Sequence, residues 1–238
     1  MGNNKIADLL SCNALFCNLT PVELDALAQR MGKIDIKPRH IVCHQGDPGD
    51  RFYVVLSGSL KVVTTSEDGQ EVVLSILGPG MTFGEIALLD GKARSASVVA
   101  GGTSTLAFID RRSFFEFLAI HPDARDKLIV ALCGRIRTLT ERVEDLSALE
   151  VSARLARTLI ALAETLGSEL EGKRYVHMKV SQGDLGSMVG AARESVNKLM
   201  RTWEEGGVID VVDGRVQILR PEMLALIGQL GDVRTLSR

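Results

Sequence analysis

The sequence predicts an α+β fold in which an antiparallel sheet lies between helical segments and is followed by a separate unit. Three patterns support this prediction. Short segments rich in β-branched residues recur over residues 36–110 with turn signals between them. Apolar residues recur at helical spacing over 113–150, and two short helices precede a hairpin within 151–238. Strands and helices therefore occupy different stretches of the chain, as is typical of α+β folds.

Composition limits the classes of function. The 238 residues are 45% hydrophobic and 24% charged, with 28 Lys and Arg, 30 Asp and Glu, and a net charge of −2. This is ordinary for a globular protein and excludes a uniformly basic nucleic-acid-binding surface, although not a local basic patch. Because no apolar run approaches about 18 residues and no signal peptide is recognisable, we expect no membrane partner and a cytoplasmic location. The four cysteines are irregularly spaced and fit free thiols in a reducing compartment.

The first part of the chain changes from helix to strand. Residues 1–35 are predicted to be helical. Thr20 can cap a helix that has Pro21 in its first turn and Glu23 three residues after the cap. Residues 36–110 then contain short strands spaced by roughly 8–12 residues, which predicts an antiparallel sandwich or barrel. The clearest strand segments are 52–56, 60–63, 72–76 and 97–100.

The helical segment over 113–150 carries apolar residues at alternating three- and four-residue spacing. They are Ile129, Leu132, Ile136, Leu139, Val143 and Leu146, and we call them the seam. This is the a/d pattern of a coiled coil. A helix lying on its own sandwich could carry such a stripe, but the strict alternation favours a coiled coil of two chains.

Residues 151–238 are predicted to form a separate unit that begins with a helix ending near residue 166. Ser181 can cap a second helix, Gly190 ends it, and a third helix follows, so the pair is a helix-turn-helix. The Asp-Gly pair at 213–214 lies between two β-branched runs and predicts a hairpin. A hairpin directly after a helix-turn-helix makes the unit a winged helix-turn-helix.

The third helix of this unit carries a polar face suited to reading DNA bases. Its residues include Arg193, Glu194, Ser195, Asn197 and Lys198. Arg and Lys donate to guanine O6 and N7, and Glu accepts from cytosine N4, so such a face can read base edges in the major groove. The alternative is an ordinary charged helix face that is exposed to solvent and binds nothing, but the capped helix before it and the hairpin after it favour DNA binding.

The run Phe83–Val98 carries the other candidate site. It offers a glycine, a carboxylate, free backbone N–H groups at the start of a short helix, and an arginine. The amides and Arg94 suit a phosphate group. Glu85 would repel a phosphate, so we expect it to face a ligand hydroxyl, such as that of a ribose.

This run resembles the phosphate-binding cassette of cyclic-nucleotide-binding domains. The run Arg193–Val196 is similar to the Arg-Glu-Ser/Thr-Val segment of CRP/FNR-type regulators, and the resemblance to that family covers about residues 10–220. It implies an antiparallel β-roll of the cyclic-nucleotide-binding jelly-roll type, a long dimerisation helix, and a C-terminal winged helix-turn-helix domain. The implied division is 1–112, 113–150 and 151–238, the last including a tail after residue 220 of unknown role.

The resemblance also implies roles for the residues of the cassette. The nucleotide-binding set is Gly84, Glu85, Ile86, Ala87, Arg94, Ser95 and Thr140. The glycine and the carboxylate would meet the ribose 2′-hydroxyl, and the arginine and adjacent serine would hold the cyclic phosphate. The two residues after the carboxylate would add backbone N–H donors.

The DNA-binding set implied by the resemblance is Ser181, Arg193, Glu194, Ser195, Asn197 and Lys198. Arg193, Glu194 and Lys198 fall on base-reading positions of the family, whereas Ser195 is expected at a phosphate. The local charge is only mildly basic, so we expect a homodimer that binds a palindromic operator in double-stranded DNA. RNA polymerase is expected as a further partner.

The effector is expected to be cAMP first and cGMP second. The family's bacterial cAMP-binding members use a Thr-Ser pair at the base, and the matching pair here is Leu139-Thr140, so only the second hydroxyl is kept. Ser95 could also contact a guanine amino group, which leaves the base open. The alternative is a degenerate pocket that binds no effector, although the carboxylate and the arginine of the motif, Glu85 and Arg94, are both present.

Other sensors and other classes find less support. Cys12 and Cys17 lack the tighter cysteine group of oxygen-sensing relatives, and we expect Cys43 and Cys133 to be buried thiols rather than iron–sulfur ligands.

Haem ligation could be proposed for His40, Cys43 and His44, but alternation along a strand would separate Cys43 from His44. The sequence contains no nucleophile elbow, Walker loop or HExxH motif, so we expect neither an enzyme nor a metal site.

Overall fold

The computed structural model describes residues 2–66, 69, 71–170, 173–176, 180–212 and 214–230. Its residues divide into two compact units: unit 1 comprises 1–64 and 76–139, and unit 2 comprises 65–75 and 140–238. Asp213, part of the predicted hairpin turn, lies outside the described residues, and so do residues 231–238 at the end of the tail. Within the described ranges, no helix is both long enough and apolar enough to cross a bilayer.

Two helices open unit 1, α1 (Gly2–Ser11) and α2 (Pro21–Ala28). The predicted capping box of α2 is confirmed: the Thr20 side chain accepts from the Glu23 backbone N–H, and the Glu23 carboxylate accepts from the Thr20 N–H. The prediction of helix up to residue 35 is wrong, because residues 32–36 form a strand. That strand pairs with residues 104–108, a partner that lies too far along the chain for local periodicity to show.

The predicted antiparallel β-roll is present and consists of two four-stranded sheets. The strands are β1 (Gly32–Ile36), β2 (Ile41–Cys43), β3 (Arg51–Ser57), β4 (Leu60–Thr65), β5 (Glu71–Leu77), β6 (Thr82–Phe83), β7 (Ser97–Ala100) and β8 (Ser104–Asp110). One sheet has the order β1-β8-β3-β6 and the other β2-β7-β4-β5. The non-consecutive order shows that the long-range pairings, not adjacent hairpins alone, build the roll.

Strand β3 explains how the roll acquires two cores. Successive side chains of a strand point to opposite faces. Phe52 and Val54 join a cluster with the N-terminal helices, whereas Tyr53 and Val55 join the cluster of the roll itself. All four are buried, so β3 is a central strand that is apolar on both faces.

Three helices follow within or after the roll: α3 (Glu85–Asp90), α4 (Arg111–Ile120) and α5 (Pro122–Ala148). The predicted helical stretch 113–150 is interrupted at His121, whose backbone (φ −120°, ψ 75°) is not helical. Proline disfavours helical geometry at the residue that precedes it. Helix α4 therefore ends before His121, and Pro122 begins α5. Helix α5 is 27 residues long, and all seam residues except Leu132 are more than half exposed.

Unit 2 contains the predicted winged helix-turn-helix. Its elements are α6 (Val151–Leu166), β9 (Gly167–Leu170), β10 (Lys173–Val176), α7 (Gln182–Val189), α8 (Arg193–Glu205), β11 (Ile209–Val212), β12 (Arg215–Ile218) and α9 (Pro221–Leu230). Helices α7 and α8 are joined at Gly190, whose left-handed backbone (φ +63°) needs glycine. Val196, Met200 and Trp203 bury the inner face of α8.

The wing is wider than the sequence indicated. Strands β11 and β12 pair as the predicted hairpin, with Val212 opposite Arg215. Strands β10 and β9 extend it to a sheet of order β11-β12-β10-β9. The sequence did not predict these two strands. Gly167 is both the residue after helix α6 and the first residue of β9, so no separate turn residue marks the change from helix to strand.

Candidate functional site

The loop between β6 and α3 is built around Gly84. Its backbone has φ +85°, and it caps the start of α3. A Cβ atom at this position would lie 2.4 Å from Nη1 of Arg94 and 2.8 Å from the carbonyl oxygen of Arg51. Both the left-handed backbone and the close approach therefore require glycine.

Arg94 is buried under this loop, with 6% of its surface exposed. Its Nη1 donates to the Gly84 carbonyl (3.0 Å) and its Nη2 to the Arg51 carbonyl (2.7 Å). Its Nε is buried and has no hydrogen-bond partner within the described residues. A buried guanidinium with a spare donor is costly, so this arrangement is suited to receiving an anion.

Glu85 begins α3 and faces helix α5. Its Oε1 accepts a hydrogen bond from Nη1 of Arg135 at 2.5 Å. Its Oε2 is buried and has no hydrogen-bond partner in the described part of the chain. Arg135 was not predicted as a site residue, because it lies 50 positions further along the chain and belongs to a different helix. The carboxylate thus keeps one acceptor available for a donor such as a hydroxyl.

The segment before β3 forms the other wall of the cassette. The backbone N–H of Gly46 donates to the Arg94 carbonyl (2.9 Å), and the N–H of Arg94 donates to the Asp47 carbonyl (2.8 Å). A Cβ at Gly49 would lie 2.1 Å from the Cβ of Ala87. Gly49 therefore packs against α3, a contact that the sequence did not predict, whereas Gly46 meets the cassette only through its backbone N–H.

The remaining nucleotide-binding predictions are placed as follows. Ala87 is buried and Ile86 is 54% exposed, which fits a role for Ile86 through its backbone rather than its side chain. Ser95 is exposed. Thr140 is exposed on helix α5 and belongs to unit 2, whereas the cassette residues belong to unit 1.

The predicted DNA-binding residues lie on or next to α8. Arg193, Glu194, Ser195 and Lys198 are exposed on the helix opposite its buried face. Asn197 is partly buried and accepts a hydrogen bond from Nε2 of Gln182 (3.4 Å), so it also ties α7 to α8.

Ser181 caps helix α7. Its hydroxyl accepts from the backbone N–H of Asp184, and the Asp184 carboxylate accepts from the Ser181 N–H. The side chain is exposed at the helix start, so the cap leaves Ser181 accessible.

The cysteines differ in part from expectation. Cys43 is buried, and burial raises the pKa of its thiol, whereas His44, which follows the end of β2, is exposed. The prediction that Cys133 is buried is wrong, and so is its assignment to a core setting. Leu132 packs on the core of unit 1, and Cys133 lies one position further round the helix, where it is exposed.

A β-roll with an anion-suited loop, joined along the chain to a winged helix-turn-helix, is the architecture of a DNA-binding regulator that carries a candidate ligand-binding domain. The family models agree with this class: the "Cyclic nucleotide-binding domain" matches residues 33–121 and the "Crp-like helix-turn-helix domain" matches residues 153–227. The "CRP-like cAMP-activated global transcriptional regulator" of Mycobacterium tuberculosis is 30% identical over 218 residues, covering 92% of this chain and 97% of the relative. The chain therefore belongs to the CRP/FNR family of transcription regulators, which are DNA-binding proteins rather than enzymes.

Solved structures show the same architecture. The catabolite activator protein of Thermus thermophilus is 28% identical, with a TM-score of 0.53 over 91% of this chain and 99% of that structure. FixK2 of Bradyrhizobium japonicum, at 19% identity, has a TM-score of 0.72 over 82% of this chain and 96% of its own, which shows the fold alone.

Proposed function

We propose that this chain is a cyclic-nucleotide-responsive transcription regulator that acts in the cytoplasm as a homodimer on a palindromic operator. The effector is cAMP, with cGMP as the second candidate. Residues 1–112 form the nucleotide-binding domain, 113–150 the dimerisation segment and 151–238 the DNA-binding domain. The observation that carries the proposal is the pair of unsatisfied polar atoms at Gly84, one on Arg94 and one on Glu85.

These two atoms have the chemistry that a cyclic nucleotide needs. A cyclic phosphate is an anion that can accept from a guanidinium in charge-assisted hydrogen bonds, which are stronger than the bonds that Arg94 makes to carbonyl oxygens. The ribose 2′-hydroxyl can donate to the free oxygen of Glu85. The two bonds to carbonyl oxygens do not require a buried Nε without an acceptor, so the spare donor favours a working site over a degenerate pocket. The mycobacterial relative is described as cAMP-activated, which supports the same effector here.

Base choice is assigned to Thr140 and Ser95. Thr140, next to the seam residue Leu139, keeps the second hydroxyl of the family's Thr-Ser pair, and Ser95 follows Arg94, the arginine proposed to hold the phosphate. Because a hydroxyl both donates and accepts, this pair is compatible with adenine and with guanine. We therefore place cAMP first on the strength of the relative and keep cGMP as the second effector.

DNA recognition is assigned to the exposed face of α8. In a homodimer, two copies of Arg193, Glu194 and Lys198 would enter successive major grooves about 34 Å apart, with Ser195 at a phosphate. Ser181 and Asn197 complete the set at the start of α7 and between the two helices. RNA polymerase is the expected partner of the DNA-bound dimer.

Calorimetric titration tests the nucleotide site. Wild-type protein is titrated with cAMP and with cGMP, beside Arg94→Ala and the control Lys92→Ala, which removes an exposed cation from the same loop. We expect Arg94→Ala to lose at least about tenfold in affinity and Lys92→Ala to bind like wild type. Absence of binding heat for both nucleotides in the wild type would overturn the nucleotide assignment.

A mobility-shift titration with a palindromic duplex, with and without nucleotide, tests the DNA assignment. Glu194→Ala is expected to weaken operator binding by about 1–3 kcal/mol and to relax preference at one base pair. If all operator variants weaken equally, Glu194 does not read a base.

A further inference from the structure

We propose that Arg111 is a positioning residue for the nucleotide site: it holds the C-terminal end of helix α3, so that the opposite end of that helix presents its backbone N–H groups to the ligand. Arg111 itself does not touch the nucleotide. The inference rests on the proposed nucleotide-binding function, and it adds a residue that neither the sequence motif nor the family match assigns.

The contacts of Arg111 cover the end of α3. Its Nη1 donates to the Leu88 carbonyl and lies 3.5 Å from the Ala87 carbonyl, and its Nη2 is 3.4 Å from the Leu89 carbonyl. The last carbonyls of any helix lack intrahelical donors. Because α3 has only six residues, few of its carbonyls have an intrahelical donor; that of Ala87 accepts from the Gly91 N–H, and Arg111 supplies donors to those of Leu88 and Leu89. A planar guanidinium with five donors can serve several of them at once.

Arg111 is itself held firmly. Its backbone N–H donates to the Asp50 carbonyl at 2.8 Å, and its guanidinium lies 4.9 Å from the centre of the Phe115 ring. It is the first residue of α4, whose cap Asp110 accepts from the backbone N–H and hydroxyl of Ser113. The guanidinium therefore projects from a fixed helix start and not from a loose surface loop.

Helix α3 lies between two arginines with different roles. Arg94 holds Gly84, the residue before the helix, through its carbonyl, and a bound phosphate would compete for the same guanidinium. Arg111 holds the other end through backbone carbonyls that no ligand would claim. On nucleotide binding, the hold on α3 from Arg111 therefore remains, together with the packing of Ala87 against Gly49.

The experiment compares Arg111→Ala with Arg112→Ala as a matched control. Arg112 is the next residue on α4, but its side chain is 88% exposed and pairs only with Glu116 among the described residues. Nucleotide affinity is measured by calorimetry, and hydrogen exchange of the amides of residues 86–91 is measured in the nucleotide-free protein.

We expect Arg111→Ala to bind cAMP at least about tenfold more weakly and to exchange the α3 amides faster, with both quantities unchanged in Arg112→Ala. Arg111→Lys, which keeps the charge but loses the fork, should fall between wild type and Arg111→Ala, and it replaces Arg111→Ala if that variant does not fold.

Two outcomes would overturn the inference alone: wild-type affinity in a folded Arg111 variant, or α3 amides that exchange at the wild-type rate. Failure of the wild type to bind either cyclic nucleotide is a different result, because it removes the proposed function together with the inference.

Discussion

Gly84 and Gly46 have similar backbone φ angles, +85° and +90°, but different surroundings. A Cβ at Gly84 would meet Arg94 and the carbonyl of Arg51, whereas a Cβ at Gly46 meets no atom within 4 Å. An L side chain in this region is strained by about 1–2 kcal/mol at either position. Substitution of each glycine by alanine therefore distinguishes the effect of backbone strain from the effect of crowding at the site.

We expect Gly84→Ala to weaken cyclic-nucleotide binding by at least about tenfold, because the new methyl group displaces Arg94 and presses on a backbone carbonyl. Gly46→Ala should lower the thermal stability about as much as Gly84→Ala does, but it should change the affinity for the nucleotide less than about threefold. Calorimetric titration and thermal unfolding of both variants measure this. Equal losses of affinity would show that strain, and not crowding, governs the site.

Glu23 is the residue whose titration should be visible in stability. Burial by itself raises its pKa, but hydrogen bonds from Lys127 and from the backbone and side chain of Thr20 outweigh burial and lower the pKa from 4.5 to about 2. The Lys127 Nζ lies 2.9 Å from the carboxylate, so the pair joins α2 to α5 within unit 1. A carboxylate with a lowered pKa stabilises the folded state when it is ionised.

The pH dependence follows from that direction. The unfolded chain takes up a proton at Glu23 below about pH 4.5, but the folded chain does so only near pH 2. The stabilisation is therefore complete above pH 5 and is lost as the pH falls towards 2, by up to about 3 kcal/mol. Glu23→Gln should flatten this part of the stability curve in chemical unfolding. Asp25→Asn, an exposed carboxylate on the same helix, is the control, and equal flattening by both would contradict the assignment.

At the residue scale, the sequence identified the members of the site that lie close together along the chain. Gly84, Glu85 and Arg94 fall within one loop and helix, so their spacing alone indicates a phosphate site. Arg135 and Gly49 could not be found in this way, because only the folded roll brings α5 and the segment before β3 to α3.

At the scale of elements, local signals were reliable and long-range pairings were not. The capping boxes at Thr20 and Ser181 and the glycine at 190 each fixed a helix end correctly. Strand β1 was missed because its partner is β8. The helical segment predicted over 113–150 is present apart from the break at His121, where α4 ends and the next helix begins at Pro122. Pairing in a sheet is decided by residues far apart in sequence, which periodicity does not report.

Arg154 is the element-scale feature with the clearest consequence. Its Nε donates to the Val189 carbonyl (2.8 Å) and its Nη1 to the Leu149 carbonyl (2.6 Å). It thereby joins the chain after α5, helix α6 and the end of α7 within unit 2. Removing the guanidinium would leave these carbonyls without their donor, at about 1–3 kcal/mol for each buried one.

We therefore expect Arg154→Ala to destabilise the winged helix by about 2–3 kcal/mol. Trp203, the single tryptophan, is buried on α8 and reports its unfolding by fluorescence. The unfolding midpoint should fall in Arg154→Ala and stay unchanged in Arg112→Ala, which alters an exposed arginine of unit 1. An unchanged midpoint in Arg154→Ala would mean that water replaces the guanidinium at no net loss.

At the scale of the whole molecule, the seam is an apolar stripe that stays exposed in the single chain. Ile136 is 63% exposed, Leu139 59% and Val143 62%, all on one helix. Isolated exposed apolar residues are common on protein surfaces, but a regular stripe marks an interface. The seam is therefore the basis for proposing a homodimer.

The variant Ile136→Glu/Val143→Glu places carboxylates at two a positions of the seam, where they would face like charges across a two-chain coiled coil. Each also removes an apolar side chain whose burial is worth about 1.5–3 kcal/mol. We expect this protein to sediment as a monomer at micromolar concentration and to lose at least about a hundredfold in affinity for a palindromic operator, since one copy reaches only one half-site.

Val130→Glu is the matched control, because Val130 is 64% exposed on the same helix but lies beside the seam and not in it. A dimer that persists with both glutamates in place would show that the chains associate through another surface, whereas dissociation caused by Val130→Glu would show that added charge anywhere on α5 is enough.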